Sequence, residues 1–230
     1  MRSTGKKPGL FITGTDTGVG KTYVASLIVR ALAAAGLRVG VYKPVASGCR
    51  RQDNAPVSDD AMALWEAAGH PGTLADVCPQ CFTAPLAPHL AARAEGRSVD
   101  STLLRSGLDY WLERSDVIVV EGVGGLLSPV SGDEYVADLA QDFGYPLAIV
   151  SANRLGTIHQ TLATLVVAAA FRDELEVAGV VLNEPGSSAD ESAASNYDEL
   201  CRRCVPPVLA KVDWNATRFE PRVDWLALAK

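Results

Sequence analysis

Short runs of apolar, mostly β-branched residues alternate with longer segments of helical periodicity along almost the whole chain. The helical segments are predicted near residues 21–35, 60–69, 100–113, 135–143, 157–172 and 190–203. Strands as hydrophobic as these are buried on both faces, which is typical of a mostly parallel sheet covered by helices. The pattern predicts a doubly wound α/β fold and, without repeats or linkers, one domain over residues 1–230. The predicted strands are Leu10–Thr13, Val39–Lys43, Val117–Glu121, Leu147–Ser151, Val177–Leu182 and Val208–Val212.

Residues 14–22, Gly-Thr-Asp-Thr-Gly-Val-Gly-Lys-Thr, form a glycine-rich loop between the first predicted strand and a helix. Backbone N–H groups of such a loop converge on phosphates, Lys21 adds a positive charge and the Thr22 hydroxyl is a ligand for Mg²⁺. The strict phosphate-loop motif has glycine at position 15, where this chain has Thr15, so the loop is one residue longer. We therefore predict a nucleotide site whose contacts here are Gly18, Val19, Gly20, Lys21, Thr22 and Tyr23.

Ligands of doubly wound sheets bind beyond the carboxyl ends of the strands. Glu121 ends a buried strand, the position at which a Walker-B type carboxylate holds Mg²⁺. Gly122, Val123 and Gly124 follow it, and glycines let the backbone approach a nucleotide closely. The alternative is a strand-end charge that only faces solvent. We predict that Glu121 contributes to a metal site.

Other polar residues follow the predicted strands and helix starts. Lys43 ends the second strand, where a lysine contacts phosphate or a developing anion, or else only extends into solvent. Ser47 offers a hydrogen-bond donor, and His89 is either a helix cap or a substrate contact. Asp60 is a further metal candidate at a helix start, but the residues alone do not separate it from Asp59.

Composition narrows the class of partner. The chain has 48% hydrophobic and 21% charged residues, which is ordinary for a globular enzyme. A net charge of −6 argues against nucleic acid, because binders of the phosphate backbone carry clustered Lys and Arg. No apolar run has the length of a membrane span or of a signal peptide. We expect a cytoplasmic protein with no nucleic-acid or membrane partner.

The five cysteines include two C-x-x-C pairs, Cys78/Cys81 and Cys201/Cys204, and an isolated Cys49. The pairs are too far apart in sequence for a compact zinc ribbon, and the second falls in a predicted helix. We expect reduced thiols, with a structural zinc or a redox role as the alternatives.

The motifs together resemble dethiobiotin synthetase. They are Gly-Thr-Asp-Thr-x-Val-Gly-Lys-Thr, Tyr-Lys-Pro-Val-Ala-Ser-Gly, Ala-Pro-x-x-Pro-His and Val-Glu-Gly-x-Gly-Gly. The order continues through Arg-Leu-Gly-Thr-Ile and Gly-Val-Val-Leu-Asn, so the resemblance covers nearly the whole chain. It implies a P-loop NTPase-like cyclo-ligase of biotin synthesis that uses ATP and Mg²⁺. Such an enzyme forms the ureido ring of dethiobiotin from 7,8-diaminononanoate and CO₂, through a carbamate and a carbamic-phosphoric anhydride.

The resemblance also implies roles for single residues. Lys43 and Lys21 match catalytic positions, and Thr22, Asp60 and Glu121 match the magnesium ligands. The family is a homodimer with its substrate site at the subunit interface. Asn183 and Glu184 match the adenine side of the nucleotide site, whereas the substrate contacts match Thr17, Ser47, Arg154 and Tyr197, the last of these where the partner chain contributes.

The chain departs from the family pattern at several of these positions. Gly18 stands where several members have an acidic residue, and Arg154 replaces a lysine that some members have. Ile158-His159-Gln160 stands where Ile-Asn-His is common, and Asp213-Trp214 stands in place of the Pro-Trp of some members. No departure removes a central catalytic group.

Three other functions are compatible with a phosphate loop in an α/β fold. Partitioning-type ATPases need a lysine early in the loop, where this chain has Asp16. Cobyrinate-amidating enzymes need a further glutaminase domain, for which we expect 230 residues to be too few. A nucleotide switch would hydrolyse ATP slowly and independently of any diamine.

Overall fold

The computed structural model of the chain describes residues 7–187 and 191–229. Within these residues the strands, numbered along the chain, are β1 (Gly9–Gly14), β2 (Val39–Tyr42), β3 (Arg50–Gln52), β4 (Ala55–Val57), β5 (Val117–Gly125), β6 (Leu147–Ala152), β7 (Val177–Asn183) and β8 (Val208–Val212). Six of them form a parallel sheet in the order β2-β5-β1-β6-β7-β8. β3 and β4 form a separate antiparallel hairpin.

Helices flank the sheet, which confirms the predicted α/β fold with a parallel sheet. None of the described helices has both the length and the apolar character required to cross a membrane. The helices are α1 (Lys21–Ala34), α2 (Asp59–Ala67), α3 (Leu74–Val77), α4 (Pro88–Ala94), α5 (Ser101–Ser106), α6 (Asp109–Arg114), α7 (Val136–Phe143), α8 (Thr157–Ala170), α9 (Ala193–Arg203) and α10 (Trp225–Leu228).

All six predicted strands are present, but several details differ from the prediction. The helix predicted over 100–113 is two short helices, interrupted at Gly107 and Leu108, where the hydrogen bonds tighten to the three-residue spacing of Leu108 N–H to Arg105 O. β5 does not end at Glu121 but runs on to Gly125, which pairs with Gly14 of β1. The hairpin and the helices α3, α4 and α10 were not predicted. Residue 190, where the last predicted helix starts, lies outside the described residues.

The sheet order brings the functional strand ends together. β1 lies between β5 and β6, and every residue of β1 and β6 is buried, as expected for central parallel strands. In the β2–β5 register Tyr42 lies opposite Val120. The next residues on these parallel strands are Lys43 and Glu121, so the register places them side by side. The phosphate loop follows the adjacent strand β1.

Candidate active site

The phosphate loop connects β1 to the first residue of α1. Its backbone is held by Thr15 N–H, which donates to Val150 O at 2.9 Å, and by Lys21 Nζ, which donates to Asp16 O at 3.2 Å. Gly20 caps α1 at φ 91°, and a Cβ on it would lie 2.2 Å from Asn183 Nδ2, so glycine is required here. No side chain caps α1, which leaves its first N–H groups for an anion.

A buried polar cluster lies beside this loop. Lys43 Nζ donates to Glu121 Oε1 at 2.7 Å, and Thr22 Oγ1 donates to the same oxygen at 2.8 Å. Lys43 is 2% exposed and Glu121 is fully buried. Glu121 Oε2 is also buried and has no hydrogen-bond partner among the described atoms. An orphaned carboxylate oxygen of this kind indicates a place for a water or a cation.

Asp60, and not Asp59, belongs to this cluster. Asp60 Oδ2 lies 3.1 Å from Lys43 Nζ, and its carboxylate also lies beside the Thr22 hydroxyl, whose proton is donated to Glu121. Asp59 points away, with Oδ1 at 2.6 Å from Arg50 Nε of the hairpin and its side chain 73% exposed. The helix start does not need either acid as its cap, since Ser58 Oγ accepts from Ala61 N–H at 3.2 Å.

The charges in the cluster stabilise one another. Burial by itself lowers the pKa of the Lys43 ammonium, but the carboxylates of Glu121 and Asp60 outweigh burial and raise that pKa above its ordinary value. Burial raises the pKa of Asp60, and Lys43 outweighs it, so the pKa of Asp60 lies below its ordinary value. Lys43 is therefore charged, and Asp60 ionised, throughout the neutral pH range. Burial lowers the pKa of Lys21.

A cavity of about 730 Å³ opens in front of the cluster. It contains most of the predicted site residues, namely Thr17, Gly18, Gly20, Lys21, Thr22, Tyr23, Lys43, Ser47, Asp60, Val123 and Gly124. Glu121 and Gly122 lie behind Lys43, and the Gly122 carbonyl is 3.5 Å from Lys43 Nζ. Val19 is fully buried in the core, so its backbone alone is available to a ligand.

Besides Gly48, which follows Ser47 in the same motif, the lining includes four residues that were not predicted as contacts. These four are Pro85, Leu86, Ala87 and Ser128. The first three belong to the Ala-Pro-x-x-Pro-His motif, so the sequence contained a signal for them. Ser128 accepts a hydrogen bond from Gly125 N–H at 2.9 Å, and no sequence pattern distinguished it. His89, in the same motif, does not cap α4, whose N-cap is Ala87 without a side-chain hydrogen bond.

The remaining predicted residues lie outside this cavity. Asn183 is behind the phosphate loop, where its Nδ2 donates to Val19 O at 3.0 Å and its buried Oδ1 has no partner among the described atoms. Glu184 pairs with Asn153 and Lys211. Arg154 is exposed on the loop after β6, and Tyr197 is half-buried on α9. The structure therefore does not bring Arg154 and Tyr197 to Lys43 within one chain.

The cysteines form no metal centre in the described structure. Cys78 Sγ lies 3.6 Å from Cys81 Sγ, and all five cysteines are free thiols. Within residues 7–187 and 191–229, no three His, Cys, Asp or Glu side chains are grouped to hold a metal ion.

Comparison with solved structures supports the fold. A ParA family ATPase from Chlorobium tepidum TLS superimposes with a TM-score of 0.55 at 15% identity, over 91% of this chain and 85% of that chain. At such low identity the likeness shows the P-loop fold alone. A family model described as an AAA domain matches residues 8–222, which span the phosphate loop and all six strands of the main sheet.

Comparison with curated proteins supports the function. The ATP-dependent dethiobiotin synthetase of Rhodopirellula baltica is 43% identical over 213 residues, covering 88% of this chain and 82% of the relative. The ATP-dependent dethiobiotin synthetase of Anaeromyxobacter dehalogenans strain 2CP-C is 44% identical over 206 residues, covering 90% of each chain. Because this identity extends over most of both chains, the protein belongs to the family of ATP-dependent dethiobiotin synthetases, which are P-loop ligases.

Proposed function

We propose that the chain catalyses the Mg²⁺- and ATP-dependent closure of the ureido ring of dethiobiotin from 7,8-diaminononanoate and CO₂. The observation that carries the proposal is the buried ammonium of Lys43, 2.7 Å from Glu121 and 3.1 Å from Asp60, on the wall of the cavity that the phosphate loop shares with Ser47. A lysine held charged at this place stabilises negative charge that develops between ATP and a bound substrate.

The proposed reaction has three steps. One amine of the diamine adds to CO₂ and loses a proton, which gives a carbamate. A carbamate oxygen then attacks the γ-phosphorus of ATP, and the bond to the β-phosphate oxygen breaks with release of ADP. The second amine attacks the carbonyl carbon, phosphate leaves, and the ring closes with loss of a second proton. Phosphoryl transfer depends mainly on positioning and charge neutralisation, which Lys21 and Lys43 provide here.

The residues beside Lys43 fit a magnesium ion. Thr22 offers a hydroxyl, Asp60 a half-exposed carboxylate at the cavity, and Glu121 a buried carboxylate oxygen without a partner. Mg²⁺ prefers oxygen ligands and takes few of them from protein, with phosphates and water as the rest. We assign Thr22, Asp60 and Glu121 as its holders. When bound, the ion neutralises charge on the phosphates of ATP.

Asp60→Asn should weaken Mg-ATP binding at least about tenfold, whereas Asp59→Asn should change it less than about twofold. The two changes are chemically identical and lie in neighbouring residues, but only the Asp60 carboxylate contacts Lys43 and Thr22. Titration of each variant with Mg-ATP by calorimetry measures the difference. A larger loss in Asp59→Asn would reverse the assignment.

We assign Thr17 and Ser47, in the same cavity as Lys43, to the diamine, and Asn183 and Glu184 to the base side of ATP. Asn183 fits this role because its Nδ2 is already engaged by Val19, which leaves Oδ1 as an acceptor for an exocyclic amine. Arg154 and Tyr197 lie outside the cavity, so we propose that they contact the diamine across a subunit interface.

The outer face of α8 fits such an interface. The helix contains no Asp, Glu, Lys or Arg. Val166 is 66% exposed on it, and Leu155, in the loop before it, is 83% exposed. A groove of about 330 Å³ runs beside this face and is lined by Thr15 and Asp16 of the phosphate loop. An exposed apolar face next to a functional loop is typical of an interaction surface, and we propose that a second copy of the chain covers it.

Val166→Glu should convert the dimer to a monomer at micromolar concentration, because it places a charge in the centre of the proposed apolar interface. Val205→Glu is the matched control, since Val205 is 98% exposed after α9 and lies outside α8. Light scattering after size-exclusion chromatography measures the mass of both. A dimeric Val166→Glu variant would exclude α8 as the interface.

The proposed function itself is tested by product analysis. The protein is incubated with Mg-ATP, 7,8-diaminononanoate and ¹³C-bicarbonate. The products are then separated, and their masses are measured by mass spectrometry. The proposal predicts a cyclic urea whose carbonyl carbon carries the label. A diamine recovered unchanged while ATP is hydrolysed would refute it.

A further inference from the structure

Three buried polar side chains form a cluster away from the ATP cavity. Asn153 follows β6 and is 2% exposed, Glu184 follows β7 and is 9% exposed, and Asn196 lies on α9 and is 3% exposed. None of them lines the cavity that contains Lys43. Polar groups buried to this degree need partners, and the cluster supplies them internally.

The hydrogen bonds run in one direction through the cluster. Asn196 Nδ2 donates to Asn153 Oδ1 at 2.9 Å, and Asn153 Nδ2 donates to Glu184 Oε1 at 2.6 Å. Lys211 Nζ lies 3.3 Å from the same carboxylate oxygen. Because the Asn153 amide donates on one side and accepts on the other, its orientation is fixed by both neighbours.

The cluster also fixes the backbone around it. Asn153 Nδ2 donates to Ala193 O at 3.2 Å, which attaches the start of α9 to the end of β6. Asn196 Nδ2 lies 3.4 Å from Arg154 O, which attaches the loop after β6 to α9. The first turns of α9 and the loop of Arg154 are thus held together by side-chain hydrogen bonds.

Each member of the cluster is the chain neighbour of a residue assigned to a ligand. Asn153 precedes Arg154, Asn196 precedes Tyr197, and Glu184 follows Asn183. Asn183 is held independently of the cluster, by its position on β7 and by its hydrogen bond to Val19 O. Arg154 and Tyr197 lie on a loop and on a helix that the cluster attaches to the sheet.

We propose that Asn153, Glu184 and Asn196 are positioning residues for the diamine: their hydrogen bonds fix α9 and the loop after β6 so that Tyr197 and Arg154 are presented to the substrate in one geometry. This inference rests on the proposed function, because it takes Arg154 and Tyr197 as diamine contacts. Asn153 and Asn196 act through these two residues and touch neither ATP nor the reacting atoms, whereas Glu184, on the base side of ATP, holds the Asn153 amide in place.

The test separates binding of the two substrates. Asn196→Ala should raise the KM for 7,8-diaminononanoate about tenfold, the factor that one neutral hydrogen bond is worth, with kcat and the KM for ATP within about twofold. Asn196→Asp has the same shape but replaces the donor with an acceptor facing Asn153 Oδ1, so it should raise the KM at least as much. Ser195 is exposed in the same helical turn, so Ser195→Ala should leave kcat and both KM values unchanged.

A double-mutant cycle tests whether the residues act as one unit. If Asn153→Ala and Asn196→Ala act through the same hydrogen bond, the double variant raises the KM for the diamine no more than the larger single effect. An unchanged KM for the diamine in both Asn196 variants, at melting temperatures that show folded protein, would overturn the proposal. Equal rises in both KM values would also overturn it, since that would be a general structural effect. A wild-type protein without diamine-dependent turnover refutes instead the proposed function.

Discussion

Lys43→Gln is expected to lower kcat by about a thousandfold while the affinity for Mg-ATP stays within about threefold. The substitution keeps a side chain of similar polarity but removes the positive charge that Glu121 and Asp60 hold in place. In the proposed site, binding of ATP depends on the backbone of the phosphate loop and on Lys21, which this change does not touch. Single-turnover kinetics and calorimetric titration separate the two effects.

Folding of the Lys43→Gln variant needs its own measurement. Without the ammonium, Glu121 is a buried charge that lacks its cationic partner, which costs about 3–5 kcal/mol of stability. Thermal unfolding with and without Mg-ATP therefore accompanies the kinetics. Arg38→Gln is the control, because it removes a cation from the exposed pair with Asp116, away from the cavity. A folded Lys43→Gln protein that retains more than about a tenth of the turnover would contradict the catalytic role.

Glu121→Gln is expected to raise the Mg²⁺ concentration needed for half-maximal turnover by about a hundredfold. It removes the charge of a fully buried carboxylate whose Oε2 is free for a cation and whose Oε1 accepts from Lys43 and Thr22. The variant also loses the partner that holds Lys43 charged, so its maximal rate should fall as well. Initial rates over a magnesium titration at saturating ATP give the Mg²⁺ concentration for half-maximal turnover and the maximal rate.

A matched change elsewhere distinguishes metal binding from loss of stability. Glu134→Gln removes a partly buried carboxylate that pairs with Arg105 at 2.7 Å and lies outside the cavity. It should lower the melting temperature without shifting the magnesium dependence. If Glu121→Gln also leaves the magnesium dependence unchanged, Glu121 does not hold the ion.

The fold was predictable because each central strand carries its own signal. Runs such as Val117–Val120 are apolar on both faces, and this pattern specifies a parallel sheet without knowledge of its neighbours. Signals for the short elements were weaker. β3 and β4 have three residues each and are largely exposed, and their turn depends on Asp53 and Asn54 in left-handed conformations.

The site was predictable as far as strand ends and loop motifs define it. The rule that ligands bind beyond the carboxyl ends of strands selected Lys43 and Glu121 separately. Their direct contact depends on β2 lying next to β5. The sequence of neither strand shows that the two are neighbours in the sheet. The choice of Asp60 over Asp59 likewise required the hairpin, whose Arg50 engages Asp59. Tertiary neighbours, and not local pattern, decided both points.

The most direct test of the central claim is phosphate release from Mg-ATP in the presence of bicarbonate, measured with and without 7,8-diaminononanoate. A monoamine analogue that lacks the second amine serves as the control, because it can form a carbamate but cannot close the ring. If the protein is a ring-forming synthetase, phosphate is released only when the diamine is present, and the amount of phosphate equals the amount of cyclic product. Phosphate release at the same rate without the diamine would contradict it and indicate a nucleotide switch.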